Sequence, residues 1–216
     1  MTDAPSLDAA GQLDKVERRL TVTEGGREAV PTVVTLRQEY GTDAADLWEA
    51  VTTADRLRRW FSPVSGDLRA GGRYQVEGNA NGTIETCDAP HSFTATWEFG
   101  GAVTRIAVRV EALGTDRSRL TLEHSGETPR EFWDQFGPGA TGVGWDLGML
   151  GLALHLETGA DRPAENTAWG ESDQAKAFMA GSSRRWVEAA IAAGVEPSDA
   201  RAAGERTTAF YTGAAE

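Results

Sequence analysis

The chain has 216 residues, 40% hydrophobic and 25% charged, which is enough apolar material for a sizeable core without disulfide or metal staples. Its 33 Asp and Glu against 21 Lys and Arg give a net charge of -12 and a pI near 4.7, a balance that repels nucleic-acid phosphates and anionic lipid surfaces. A single cysteine, Cys87, excludes an intramolecular disulfide, and neither a secretory leader nor ~18 continuous apolar residues for a membrane span is found, so a cytoplasmic protein with no nucleic-acid or membrane partner is expected.

Residues 1–15 are small, polar and acidic and read as a flexible leader in which Leu7 and Leu13 can dock locally. VERRLTVT at Val16 to Thr23 and TVVTLRQEY at Thr32 to Tyr40 are strand-like and flank a turn at Glu24 to Glu28, which predicts an opening hairpin. Thr42 then offers an N-cap for a helix carrying Leu47, Trp48 and Val51. A second short helix begins near Thr53, carries Leu57, Trp60 and Phe61, and stops at Ser62-Pro63 because the residue before proline is pushed out of the helical region.

Short strands separated by turn residues follow, the mark of an antiparallel meander. GNANG at Gly78 to Gly82 predicts a hairpin, and SFTATWEFG alternates strictly, with Phe93, Ala95, Trp97 and Phe99 on one face. Ile106, Val108 and Val110 point the same way in the next strand, and RSRLTLEH adds Leu120, Leu122 and His124. Thr128-Pro-Arg-Glu131 has a capping-box pattern that predicts a short helix, broken at Gly137-Pro138-Gly139. A long helix then ends at Gly159 and is apolar around most of its circumference. A polar linker at 160–171 leads to a helix from about Ser172 to Ala193, and Pro197 opens a last one closed at Gly213. The domain reading is a leader at 1–15, a main domain at 16–158, and a helical extension at 159–216 packed on that domain or on a partner subunit.

His91, His124 and His155 are isolated, without HxH or HExxH spacing, so neither a metal site nor a cofactor is expected. Phosphate loops, nucleophile elbows and dinucleotide fingerprints are missing from the sequence. Asp146 and His155 share a helix but lie nine residues apart, which rotates them onto opposite faces, so they form no dyad. Cys87 reads as a small buried thiol. What remains is an inventory suited to a pocket: Trp60, Phe61, Tyr74, Trp97, Phe99, Trp133 and Trp145, with His124 and Met149 beside them.

The segments DAADLWEAVTTADRLRRWFSP, TWEFGG, LTLEHSG and GPGATGVGWDLGMLGLALHL carry a family likeness over about residues 30 to 158. The chain resembles the SRPBCC (START-like, Bet v-like) superfamily, and within it the heat-shock protein 90 ATPase activator homologue-like, also polyketide cyclase-like, branch. The resemblance implies an α+β helix-grip fold, a curved antiparallel β-sheet wrapped around a long C-terminal α-helix, here with two additional helices. It also implies a cavity between sheet and helix that takes a small apolar or amphipathic ligand. The alternatives are a cyclase- or hydrolase-type enzyme in which His124 or Asp146 moves a proton in the same cavity, and a cochaperone-like interaction module. Whether any reaction is catalysed stays open. A chaperone contact rests on the family label alone, and the apolar tail helices also suit a homodimer.

Overall fold

The structure is a computed structural model that describes residues 9–23, 26–161 and 169–213. Its elements are α1 (Ala9–Lys15), β1 (Glu17–Val22), β2 (Ala29–Tyr40), α2 (Ala44–Thr52), α3 (Ala54–Trp60), β3 (Val64–Gly66), β4 (Arg73–Val76), β5 (Asn81–Asp88), β6 (Ser92–Phe99), β7 (Ala102–Ala112), β8 (Ser118–Pro129), α4 (Arg130–Phe136), α5 (Gly139–Thr158), α6 (Asp173–Ala192) and α7 (Pro197–Thr212). The strands form one sheet in the order β1-β2-β8-β7-β6-β5-β4-β3, antiparallel from β8 through β3. This is the α+β helix-grip order that the sequence implies. Among the described residues no helix is long and apolar enough to cross a membrane.

Local chemistry explains most boundaries, and it also explains where the expectations shift. Asp43, not Thr42, caps α2: its carboxylate accepts from the Asp46 amide at 2.8 Å, while the Thr42 hydroxyl donates to the Asp46 side chain. The capping box at Thr128 does not form, because β8 runs on to Pro129 and the Thr128 hydroxyl bonds Thr32 instead, at 3.1 Å. Ser172 caps α6 as its position suggests, and Gly213 closes α7 with φ 64°, which favours glycine.

The chain folds into two compact units, Met1–Leu36 with Glu127–Leu150 and Pro163–Glu216, and Arg37–Gly126 with Gly151–Arg162. In the first, Leu20, Val34, Val143, Phe178 and Trp186 supply the core. Its helices approach through small residues: a Cβ on Gly142 would lie 2.3 Å from the Trp186 ring, and one on Gly204 2.3 Å from Val187. Residues 9–15, read from sequence as part of a flexible leader, form α1, with Gln12 buried and Leu13 seated over Gly181. Arg18 fixes its end by donating to the Leu13 and Val16 carbonyls, a tie too distant in type from any helix signal to be read beforehand. The rest of the leader, 1–8, lies outside the described residues, as does 162–168 of the linker.

The second unit is the meander, with α2, α3 and the last turns of α5. Opposed residues of an antiparallel pair share a face, so the registers sort it cleanly. Ala95, Ile106, Val108, Val110, Leu120 and Leu122 form a buried inner face. The outer face carries Arg73 with Glu98, Arg105 with Glu85, and Arg119 with Glu39 and Glu111, exposed pairs worth only ~0.2–1 kcal/mol each.

Candidate functional site

On the inner face of the second unit, coverage fails progressively along β6. Ala95 is 1% exposed, Trp97 is half-buried, and Phe99, the last inward residue before the Gly100-Gly101 turn, is 59% exposed. Both turn glycines have positive φ, 57° and 82°, so the hairpin needs them. Trp97 opposes Thr104 across the ladder, and one step inward Ala95 opposes Ile106, which opposes His124. Tyr74 on β4 opposes Gly82, where a Cβ would sit 2.9 Å from the Tyr74 ring and 2.0 Å from the Thr96 carbonyl oxygen. Glycine there lets the phenol lie across β5 and donate to that same carbonyl at 2.6 Å.

The polar groups of this face are arranged in a chain. The Thr104 hydroxyl lies 3.1 Å from the Trp97 carbonyl and 2.7 Å from His124 Nε2, with which it shares a hydrogen bond whose direction follows the imidazole tautomer. Burial pushes the His124 imidazole down to about 4. Burial likewise pushes the Tyr74 phenol up to about 12, with the Glu98 charge adding to the shift. The Trp97 and His124 rings meet edge-on at 6.1 Å. Gly126 makes room for this chain, since a Cβ there would lie 2.5 Å from the Thr104 methyl.

The other residues singled out in the sequence fall elsewhere. Trp60 is 8% exposed; its indole donates to the Ala50 carbonyl at 2.8 Å, and its own carbonyl lies over Gly151, where a Cβ would come within 2.4 Å. Phe61 stacks on it, half-buried, at 5.5 Å. Trp133 and Trp145 are half-buried and Met149 buried on α4 and α5 of the first unit. Cys87 is exposed rather than buried, because it follows the irregularity between Ile84 and Thr86 near the end of β5. Among the described residues no group of three or more His, Cys, Asp or Glu side chains forms a metal cage.

Asp146 has its lone pairs committed in the first unit. Arg18 grips both oxygens with Nε at 3.1 and 2.9 Å and Nη2 at 2.9 Å, while Ser182 donates at 2.5 Å and the Trp186 indole at 3.0 Å. That geometry holds a fold and leaves no route to a proton on a ligand. His155 belongs to a second network that the sequence did not disclose, since its partners lie far along the chain. Arg56 Nε donates to His155 Nε2 at 2.9 Å, and Arg56 Nη1 donates to Asp46 at 2.8 Å. Burial lowers the His155 imidazole, and the Arg56 and Arg59 charges add to that, against the Ala160 carbonyl and the Asp161 charge. For Asp46, burial opposes ionisation, but hydrogen bonds from Arg56 and Thr42 hold its carboxyl below the usual range.

Residues 42–157, just over half the chain, match the family described as Activator of Hsp90 ATPase homolog 1-like protein. The crystal structure of CalU16 from Micromonospora echinospora is similar at 30% identity and TM-score 0.57, covering 68% of this chain and 87% of that one. The solution structure of CalU16 is similar at TM-score 0.66 and 23% identity over 82% of this chain and 96% of that one. DynU16, from the dynemicin biosynthetic locus, shares the fold at TM-score 0.52 and 22% identity, covering 60% of this chain and 48% of that one. A pyrimidine/purine nucleoside phosphorylase from Laribacter hongkongensis (strain HLHK9) is 29% identical over 76 residues, which is 35% of this chain and 74% of that protein.

Proposed function

The chain belongs to the Activator of Hsp90 ATPase homolog 1-like family, and from that premise we propose that it binds a small hydrophobic or amphipathic molecule against the inner sheet face of its second unit. The observation that carries this reading is the gradient from buried Ala95 through half-buried Trp97 to exposed Phe99 on one apolar face, with the Thr104 and His124 polar pair set into it. A mostly apolar lining with a few placed polar groups is the usual composition of a small-molecule site. A cyclase- or hydrolase-type role fits less well: an imidazole near 4 is a poor base at neutral pH, so His124 orients a ligand rather than moving its proton. The cytoplasm is the compartment that suits an exposed lone thiol.

The test is mass spectrometry of the purified protein, first native and then denatured with solvent extraction. A stoichiometric small molecule that Trp97→Leu protein no longer retains is the expected result. A protein that carries nothing, and that takes up no member of a panel of apolar compounds, overturns the reading. Protein contact is the second reading, favoured by the aromatic group Phe132, Phe136 and Phe210 on the first unit, where Phe132 is 40% and Phe210 65% exposed. Co-sedimentation with a purified Hsp90-type chaperone, lost in a Phe132→Ser, Phe210→Ser double variant, distinguishes it.

A further inference from the structure

The inner face of the second unit is apolar in a stricter sense than its hydrophobic content alone implies. From β4 across β5 to β8 the registers bring Tyr74, Ala95, Trp97, Thr104, Ile106 and His124 to this face, and among the described residues that share it none carries a formal charge at neutral pH. The charged side chains of the same strands, Arg73, Glu85, Glu98, Arg105 and Arg119, stand on the opposite face, where they neutralise one another. Tyr74 and His124, the ionisable groups beside Trp97, are both held by hydrogen bonds. Tyr74 donates its proton to the Thr96 carbonyl, and His124 Nε2 shares a hydrogen bond with the Thr104 hydroxyl, which also lies within reach of the Trp97 carbonyl.

A charged ligand group brought onto such a face leaves water without meeting a counter-charge, which is the unfavourable half of a buried ion pair with none of the compensation. Aromatic walls, in contrast, reward flat rings through face and edge contacts. We infer that the site selects uncharged aromatic compounds and rejects their anionic counterparts. The inference rests on the ligand-binding reading above and narrows it, since it removes fatty-acid-like and phosphate-bearing amphiphiles from the ligands that reading admits.

A matched pair of fluorescent probes tests this: N-phenyl-1-naphthylamine, which is neutral, and 8-anilino-1-naphthalenesulfonate, which adds a sulfonate to the same ring system. Both are titrated into the full-length protein, and the sulfonate is then used to displace the neutral probe. The expected result is a neutral probe bound at least about 100-fold more tightly, as loss of a paired environment for one buried ion implies, and displaced only by a comparable excess of sulfonate. Trp97→Leu weakens the neutral probe about tenfold, and Phe99→Ala, at an exposed position where folding is not at stake, also weakens it. Equal affinities, with both probes weakened by these variants, overturn the charge selectivity and leave the ligand-binding reading standing. No binding by either probe overturns both.

Discussion

Burial of His124 has a consequence for stability as well as for ligand choice. Its imidazole drops from the ordinary 6.5 to about 4 on folding, so above pH 6.5 it is neutral in both states and contributes no pH dependence. Between 6.5 and 4 the unfolded chain binds the proton and the folded chain does not, so stability falls as the pH falls, by about 3 kcal/mol across the whole window. His155 is lowered too, which adds a loss of the same sign just below 6.5. Urea unfolding of wild type and His124→Gln at pH 7.5 and pH 4.5 checks this: the wild type should lose clearly more stability between the two than the variant. An identical loss in both would show that His124 is protonated when folded. Asp146 makes a different kind of prediction. With its side chain fully buried against an Arg18 side chain only 5% exposed, removing one partner strands the other. Arg18→Ala should therefore cost about 3–5 kcal/mol, whereas Ser182→Ala, which leaves the ion pair intact, should cost about 1–2 kcal/mol in the same urea titration.

At the scale of elements, glycine does what the sequence could only partly announce. Gly142 and Gly151 sit on one helix, and each faces something that cannot retreat: the Trp186 ring in the first unit and the Trp60 carbonyl in the second. Gly142→Ala should destabilise by about 1–3 kcal/mol despite alanine's better helix propensity, because the new methyl group overlaps a buried ring. An increase in melting temperature would mean that Trp186 can shift. No local pattern in the helix names the neighbour that either glycine meets, because both neighbours lie far along the chain. The same limit runs through the site. Period-2 alternation was enough to place Phe93, Ala95, Trp97 and Phe99 together, and Leu120, Leu122 and His124 together, because side-chain period is a local property of a strand. Thr104 was not singled out, since its role depends on opposing Trp97 and adjoining Gly126, which are pairings and not patterns. Caps moved by a residue at Asp43 and vanished at Thr128 for a related reason. A hydroxyl with a partner elsewhere in the fold, as Thr128 has in Thr32, leaves its helix uncapped.

For the whole molecule, the informative fact is where the partners of Asp146 come from. Asp146 lies inside the segment that matches the family, residues 42–157, but every hydrogen bond it accepts from a side chain comes from outside that segment: Arg18 before it, Ser182 and Trp186 after it. Leaving a buried carboxylate without its donors costs about 3–5 kcal/mol, a large share of the roughly 5–15 kcal/mol by which a typical domain is stable. We propose that α6 is integral to the fold of the first unit and not a removable arm. Sequence patterning could recognise α6 and α7 as too apolar to stand free, but it had no means of pairing Ser182 and Trp186 of α6 with Asp146. Truncation after Thr158 should give a chain that lacks a cooperative unfolding transition by near-ultraviolet circular dichroism and calorimetry. In the full chain, Asp146→Leu with Arg18→Met removes both charges together and should be less destabilising than the Arg18 change alone, with a remaining cost from the Ser182 and Trp186 donors left without an acceptor. A truncated chain that unfolds cooperatively near the wild-type midpoint would show that the donors of Asp146 are replaceable by water, and that the extension serves something other than the fold.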